Sequence, residues 1–102
     1  MIKRLCALDL QAGNWIQAFA VDADSRIQLY VVNHSSTDAQ VSLALIEPNC
    51  EVSATDIIIS NAIVDKKSYR VFKDLEMPQN LALAVATEDE NLTLSAVGVT
   101  IP

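Results

Sequence analysis

Arg26-Ile27-Gln28-Leu29-Tyr30-Val31-Val32-Asn33 sets Ile27, Leu29 and Val31 at every second position, with Gln28 and Tyr30 between them. Successive side chains of an extended strand point to opposite faces, so this run predicts a strand with one apolar face. The same alternation runs upstream, where Trp15, Gln17, Phe19 and Val21 fall on one side and Ile16, Ala18 and Ala20 on the other. Asp22-Ala23-Asp24-Ser25 lies between the two runs as a turn, which predicts that they pair as a hairpin.

Working toward the C-terminus, Asn33 to Asp38 reads as a polar loop. Val41, Leu43 and Leu45 then alternate with Ser42 and Ala44 until Glu47-Pro48-Asn49, which predicts a central strand. Asp56-Ile57-Ile58-Ile59-Ser60 is too short for a helix and rich in β-branched residues, which predicts a strand buried on both faces. Ser68 to Asp74 interleaves Tyr69, Val71 and Lys73 with Arg70 and Phe72. Met77-Pro78-Gln79-Asn80 turns the chain into Leu81 to Thr87. Leu and Ala favour helices, but the short span and polar bounds of that last run point to a strand. Glu88-Asp89-Glu90-Asn91 predicts a tight turn that pairs it with the final run, Leu92 to Ile101. Gly98 within that run signals a bulge or a close backbone approach.

The sum is seven or eight short strands, which predicts an all-β antiparallel sandwich, immunoglobulin-like or jelly-roll-like. A length of 102 residues fits a single domain over residues 1–102. Apolar residues make up 51% of the chain and 24 residues are Val, Ile or Thr, a composition for packed pleated surfaces and not for disorder. With only two glycines and three prolines, the turns fall to Asn, Asp and Ser, which accept left-handed backbone angles or bond their own backbone.

Thirteen acids against seven bases give a net charge of −6, the wrong sign for neutralising phosphates, so nucleic acid is not an expected partner. Four of the bases, Lys66, Lys67, Arg70 and Lys73, cluster in one stretch. They read either as a contact for an anionic patch on a neighbouring protein or, with more weight, as a solvated strand edge kept soluble by its charges. The opening apolar stretch breaks at Asp9, too early for a signal-peptide core, and Leu81 to Ala86 falls far short of the roughly 18 residues of a membrane span. A chain made in the cytoplasm, without a membrane partner, is expected. Cys6 and Cys50 have no metal-ligand spacing and, without a secretory signal, read as buried thiols in preference to a disulfide, and the sequons at Asn33 and Asn91 are discounted for want of an export signal.

His34 is the only histidine, with Ser35, Ser36 and Asp38 beside it. A serine nucleophile needs a base held by a buried carboxylate and an oxyanion hole, which a polar loop does not supply, so the segment reads as a turn and no enzyme activity is expected. Asp22, Asp24 and the acidic run 88–90 lack the Gly and bidentate Glu of a calcium loop. No metal or cofactor is expected. Leu81 to Thr87 carries no charge over its first six residues and contains no proline. As an exposed edge it would template aggregation, so a second copy or a neighbouring protein is expected to cover it, by strand addition or through a flat apolar sheet face. Leu81, Leu83 and Val85 are therefore candidate interaction residues, together with Lys66, Lys67, Arg70 and Lys73, and the expected outcome is a homo-oligomer, a trimer or a closed ring.

The order of elements carries a resemblance. Leu5-Cys6-Ala7-Leu8 opens the chain, Gly13-Asn14-Trp15 turns it, and the strand at 26–33 ends in Asn33 and a polar turn. Val41-Ser42-Leu43-Ala44-Leu45-Ile46 follows, and a proline-containing turn, the Leu-Ala-Leu-Ala-Val run and Val97-Gly98-Val99 close it. This resembles the small all-β accessory proteins of tailed-phage virions, which decorate the capsid or attach to the tail, neck or fibres. The chain departs from them in its scarcity of turn glycines. The resemblance implies a virion component present in many copies, symmetric assembly and docking on other virion structural proteins, with no catalytic residues to carry over. The competing expectation is a small carbohydrate-recognition module with Trp15 and Tyr30 as contacts.

Overall fold

β1 (Lys3–Leu10), β2 (Ile16–Ala20), β3 (Ser25–Asn33), β4 (Ala39–Ile46), β5 (Ile57–Val64), β6 (Tyr69–Met77), β7 (Ala82–Thr87) and β8 (Leu92–Thr100) form the computed structural model, which describes residues 2–102. One turn of 3-10 helix, Ala54–Asp56, precedes β5. The strands make two four-stranded antiparallel sheets, β1-β8-β3-β6 and β2-β7-β4-β5, packed as a sandwich. That order is a jelly roll: β1 to β4 pair in turn with β8 to β5, as one long ribbon folded over on itself. The immunoglobulin-like alternative has a different strand order.

This topology overturns both expected hairpins. β2 pairs with β7, and β3 with β6 and β8. The final strand pairs with β1 and β3 instead of β7. Six of the seven connections cross from one sheet to the other, and only residues 47–56 join partners within a sheet. A polar joint of four residues can close a hairpin or bridge two layers, and here long-range bonds select the bridge. Asp24 Oδ1 accepts the Gln79 N–H at 2.7 Å, and its carbonyl accepts the Ile101 N–H at 2.8 Å. At the opposite end, the carbonyl of Asn91 accepts the His34 N–H at 2.9 Å. Asn91 itself sits at φ 66°, and among the described residues four of the six non-glycine positions with positive φ are asparagines, the role expected of them in a glycine-poor chain.

The inner faces meet in a core of Ile27, Leu29 and Val31 from β3, Val41 and Leu43 from β4, Leu83 and Val85 from β7, and Leu92 and Leu94 from β8. Each buried side chain of this size contributes about 1.5–3 kcal/mol. Gly98 lies within this packing. A Cβ there would come within 2.7 Å of Ile27 Cδ1 and 2.9 Å of Leu5 Cδ1, so the glycine answers a close approach.

Two strands differ from expectation in position. β4 is interior, as its pattern indicated, but β5 is an edge strand with Ile58 and Ile63 exposed, not a strand buried on both faces. β7 is the reverse case. It lies between β2 and β4, with Leu83 and Val85 fully buried, so the expected exposed edge at Leu81, Leu83 and Val85 does not exist. Its lack of charge comes from cover on both sides: the core takes Leu83 and Val85, while Ala82 and Ala84 sit beneath Trp15, Val52 and Ile57 on the outer face.

The true edges are β1, β6, β2 and β5, and each carries a bulge. Extra residues fall at Leu5, at Ala18, at Lys73–Asp74 opposite Gln28, and at Ser60–Asn61 opposite Ser42. Asn61 and Asp74 take left-handed angles there, and Ser42 Oγ accepts the Asn61 N–H at 2.9 Å. The interior ladders β3–β8 and β4–β7 run without interruption. Bulged, twisted edges resist pairing with a further strand.

Candidate functional site

The outer face of the first sheet is built by the residues that alternate with the core set. Register aligns Ala7, Ser95, Tyr30 and Val71 in one row across the four strands. Asp9, Thr93, Val32 and Tyr69 form the next row, and Arg4, Val97 and Gln28 the row on the other side. The two central strands thus present Thr93, Ser95, Val97, Gln28, Tyr30 and Val32, none of them charged, and Tyr69 at the margin is 65% exposed. Charges stand around this area: Arg4 and Asp9 on β1, Lys73 and Asp74 at the β6 bulge, and the exposed Arg26–Glu76 pair at 3.6 Å, a contact worth little in water.

A second feature lies on the outer face of the second sheet. Trp15 is half-buried against Ala44, Ile46, Ala82 and Ala84. With Asn14, Gln17, Asn49 and Glu51 it lines a cleft of about 500 Å³. Gln17 Oε1 accepts the Asn49 N–H at 2.7 Å and so fixes the 47–56 loop that forms one wall. Trp15 and Tyr30 therefore sit on opposite outer faces and cannot contact one ligand together.

The basic cluster lies along the β5–β6 turn and the β6 edge, and three of its members make structural bonds. The Lys66 N–H donates to Asp38 Oδ1 at 2.9 Å, and Lys67 Nζ donates to the His34 carbonyl at 2.9 Å. Arg70 Nη1 donates to the Ile63 carbonyl at 3.0 Å, bridging the edges of the two sheets, with its guanidinium 5.2 Å from the Phe72 ring centroid. Lys73 stays exposed at the β6 bulge. This is the arrangement of a charged edge more than of a single anion site.

His34 Nε2 lies 3.2 Å from Thr93 Oγ1, while the Ser35 hydroxyl, 2.8 Å from both the Thr37 carbonyl and Asn33 Oδ1, shares its one proton between them. The histidine and serine are not bonded to each other; they brace the loop. Asp24 and the acidic run 88–90 stand at opposite ends of the sandwich, where Asp24 holds Gln79 and Asp89 Oδ2 accepts the Gln40 N–H at 3.0 Å. No group of three or more His, Cys, Asp or Glu is placed to hold a metal among the described residues.

Both cysteines are free thiols. Cys6 is half-buried against the core, and burial pushes its thiol up from the ordinary value more strongly than the Ala96 backbone bond and Arg4 lower it. Cys50 is exposed in the 47–56 loop, contrary to the expectation of a buried thiol, because that loop lies outside the ladders. With a thiol reagent at pH 8, Cys50 should react within seconds to minutes and Cys6 only as the sheet opens, as peptide mapping of the labelled protein would show.

No family model matches this chain, and neither does any curated protein or solved structure.

Proposed function

We propose that this protein is a non-enzymatic structural interaction module, working in many copies as a decorating or tail-associated component of a tailed-phage virion. The observation that carries the interaction reading is the outer face of the first sheet: Tyr30, Val32, Val71 and Val97 stand on a surface whose three middle rows are uncharged on the central strands, while the core beneath is complete without them. The bulged edges favour docking by that face over strand addition, the other of the two routes expected from the sequence. The virion setting rests on the resemblance of the element order and on fold-level analogy, since jelly rolls are a common building unit of capsids.

Mass spectrometry of particles from a phage encoding the chain tests this reading. The chain should be present in multiple copies per particle, and Tyr30→Lys should be lost from particles while remaining folded. Absence of the wild-type chain from particles would overturn the virion role. Equal incorporation of Tyr30→Lys would overturn the docking face.

The Trp15 cleft favours a second reading, carbohydrate recognition. An indole face with Asn14, Asn49 and Glu51 around it offers a stacking surface and hydroxyl partners. Trp15 is the only tryptophan, so a glycan panel read by fluorescence reports on this site alone. A saturable shift that Trp15→Phe abolishes would support this reading, and a flat response across the panel would remove it.

A further inference from the structure

We infer that a second copy of this chain covers the outer face of the first sheet, about a two-fold axis running across the strands through the Ala7–Ser95–Tyr30–Val71 row, so that Arg4 of each copy meets Asp9 of the other. This deepens the interaction reading above and rests on it.

The argument starts from the charges on β1. Arg4 lies one row to one side of that central row and Asp9 one row to the other. Among the described residues neither makes an ion pair or a side-chain hydrogen bond. A two-fold axis in the sheet plane and perpendicular to the strands lays each strand antiparallel over its own copy. It exchanges the two flanking rows, bringing Arg4 over Asp9 twice, Val97 over Thr93 and Gln28 over Val32. The other in-plane axis, parallel to the strands, lays β1 over β6; it brings Arg4 to the Lys73–Asp74 bulge, one charge of each sign, and Asp9 to the uncharged Tyr69, so only the first axis pairs both charges of β1. Packed sheets cross at about 30°, which displaces the β1 strands by a few Å, within reach of an arginine side chain.

Area sets the strength. Four strands about 4.8 Å apart and seven residues of about 3.3 Å each give a face of about 450 Å² per copy, close to 1,000 Å² for the pair. That is the lower bound for a specific interface, so the dimer belongs in the micromolar range or weaker, where opposite charges at the rim decide register and salt weakens it. Edge pairing is a poor competitor because every edge is bulged.

Sedimentation equilibrium of the full chain, from about 5 to 500 µM and at low and high salt, tests this. The wild type should dimerise reversibly, more tightly at low salt. Arg4→Glu and Asp9→Arg should each weaken the dimer about tenfold or more, and the combined swap should recover it to within about threefold. Tyr30→Lys should be monomeric with an unchanged thermal unfolding curve. A wild type monomeric throughout the range overturns the inference, as does a swap that fails to recover affinity. If Tyr30→Lys still loses its place on particles in either event, the docking reading stands and only the second copy or its axis falls. If Tyr30→Lys behaves as wild type in both assays, the two fall together.

Discussion

Leucine in place of Asn33 should lower the unfolding free energy by about 3 kcal/mol, because the side chain makes three hydrogen bonds worth about 1 kcal/mol each and shares in a fourth. Asn33 is 1% exposed at the end of β3. Its Nδ2 donates to the carbonyls of Thr37 at 2.9 Å and Val64 at 3.0 Å. Its Oδ1 accepts the Ser35 N–H at 2.9 Å and the Ser35 hydroxyl at 2.8 Å. One amide thus joins the β3–β4 loop to the end of β5, and leucine takes the Asn33 bond from the Val64 carbonyl and the Ser35 N–H, while the Thr37 carbonyl keeps the Ser35 hydroxyl. Asn33→Asp is the sharper probe, since it keeps the shape and loses both donors. Its carboxylate would face two carbonyl oxygens in a buried site, raising its folded-state pKa above the unfolded value near 3.9. The sign follows from linkage: relative to wild type, the variant is least impaired below about pH 4 and loses stability as pH rises through the raised pKa. Urea unfolding of both proteins at pH 4 and pH 8 measures the difference, and a deficit that shrinks at pH 8 would refute this account of Asn33. The same burial means that a glycan on Asn33 is incompatible with the fold.

Lysine at Leu83 should abolish cooperative unfolding altogether. Leu83 is fully buried on a strand with neighbours on both sides, and no acidic residue shares the core around it. Burying an unpaired ammonium there costs more than the roughly 5–15 kcal/mol by which a domain of this size is stable. Val85→Lys should behave in the same way, while Leu83→Ala should remain folded with a loss of about 3–4 kcal/mol. Circular dichroism and one-dimensional proton spectra distinguish these cases. A well-dispersed spectrum for Leu83→Lys would mean that β7 faces solvent, as a free edge would. Tyr30→Lys is the matched control, because the same charge on the outer face of β3 should leave the fold intact.

The contrast between Leu83 and Tyr30 shows how far the residues could be read one by one. Alternation in 26–33 and 41–45 identified β3 and β4 and their inner faces, since a period of two is a local property of the chain. Gly98 stood out within a branched, apolar run and does mark a close approach. The uncharged run 81–87 carried an ambiguous signal. A charge-free strand is what an aggregation-prone edge looks like, and also what a strand covered on both sides looks like. Deciding between them required knowing that the 47–56 loop and Trp15 lie over Ala82 and Ala84. The uncharged middle of the first sheet's outer face has no local signal in the sequence, because Ala7, Tyr30, Val71 and Ser95 are distant in the chain and become one row only through strand register.

Periodicity, β-branching and the spacing of polar joints determined by themselves that this chain forms short antiparallel strands layered as a sandwich, because those signals act within a few residues. Which strands are neighbours, which lie at the margins and which residues make the uncharged middle of one outer face were decided only by the tertiary structure. A four-residue joint closes a hairpin or crosses between sheets at similar local cost, and bonds between residues as far apart as Asp24 and Gln79 settle the choice.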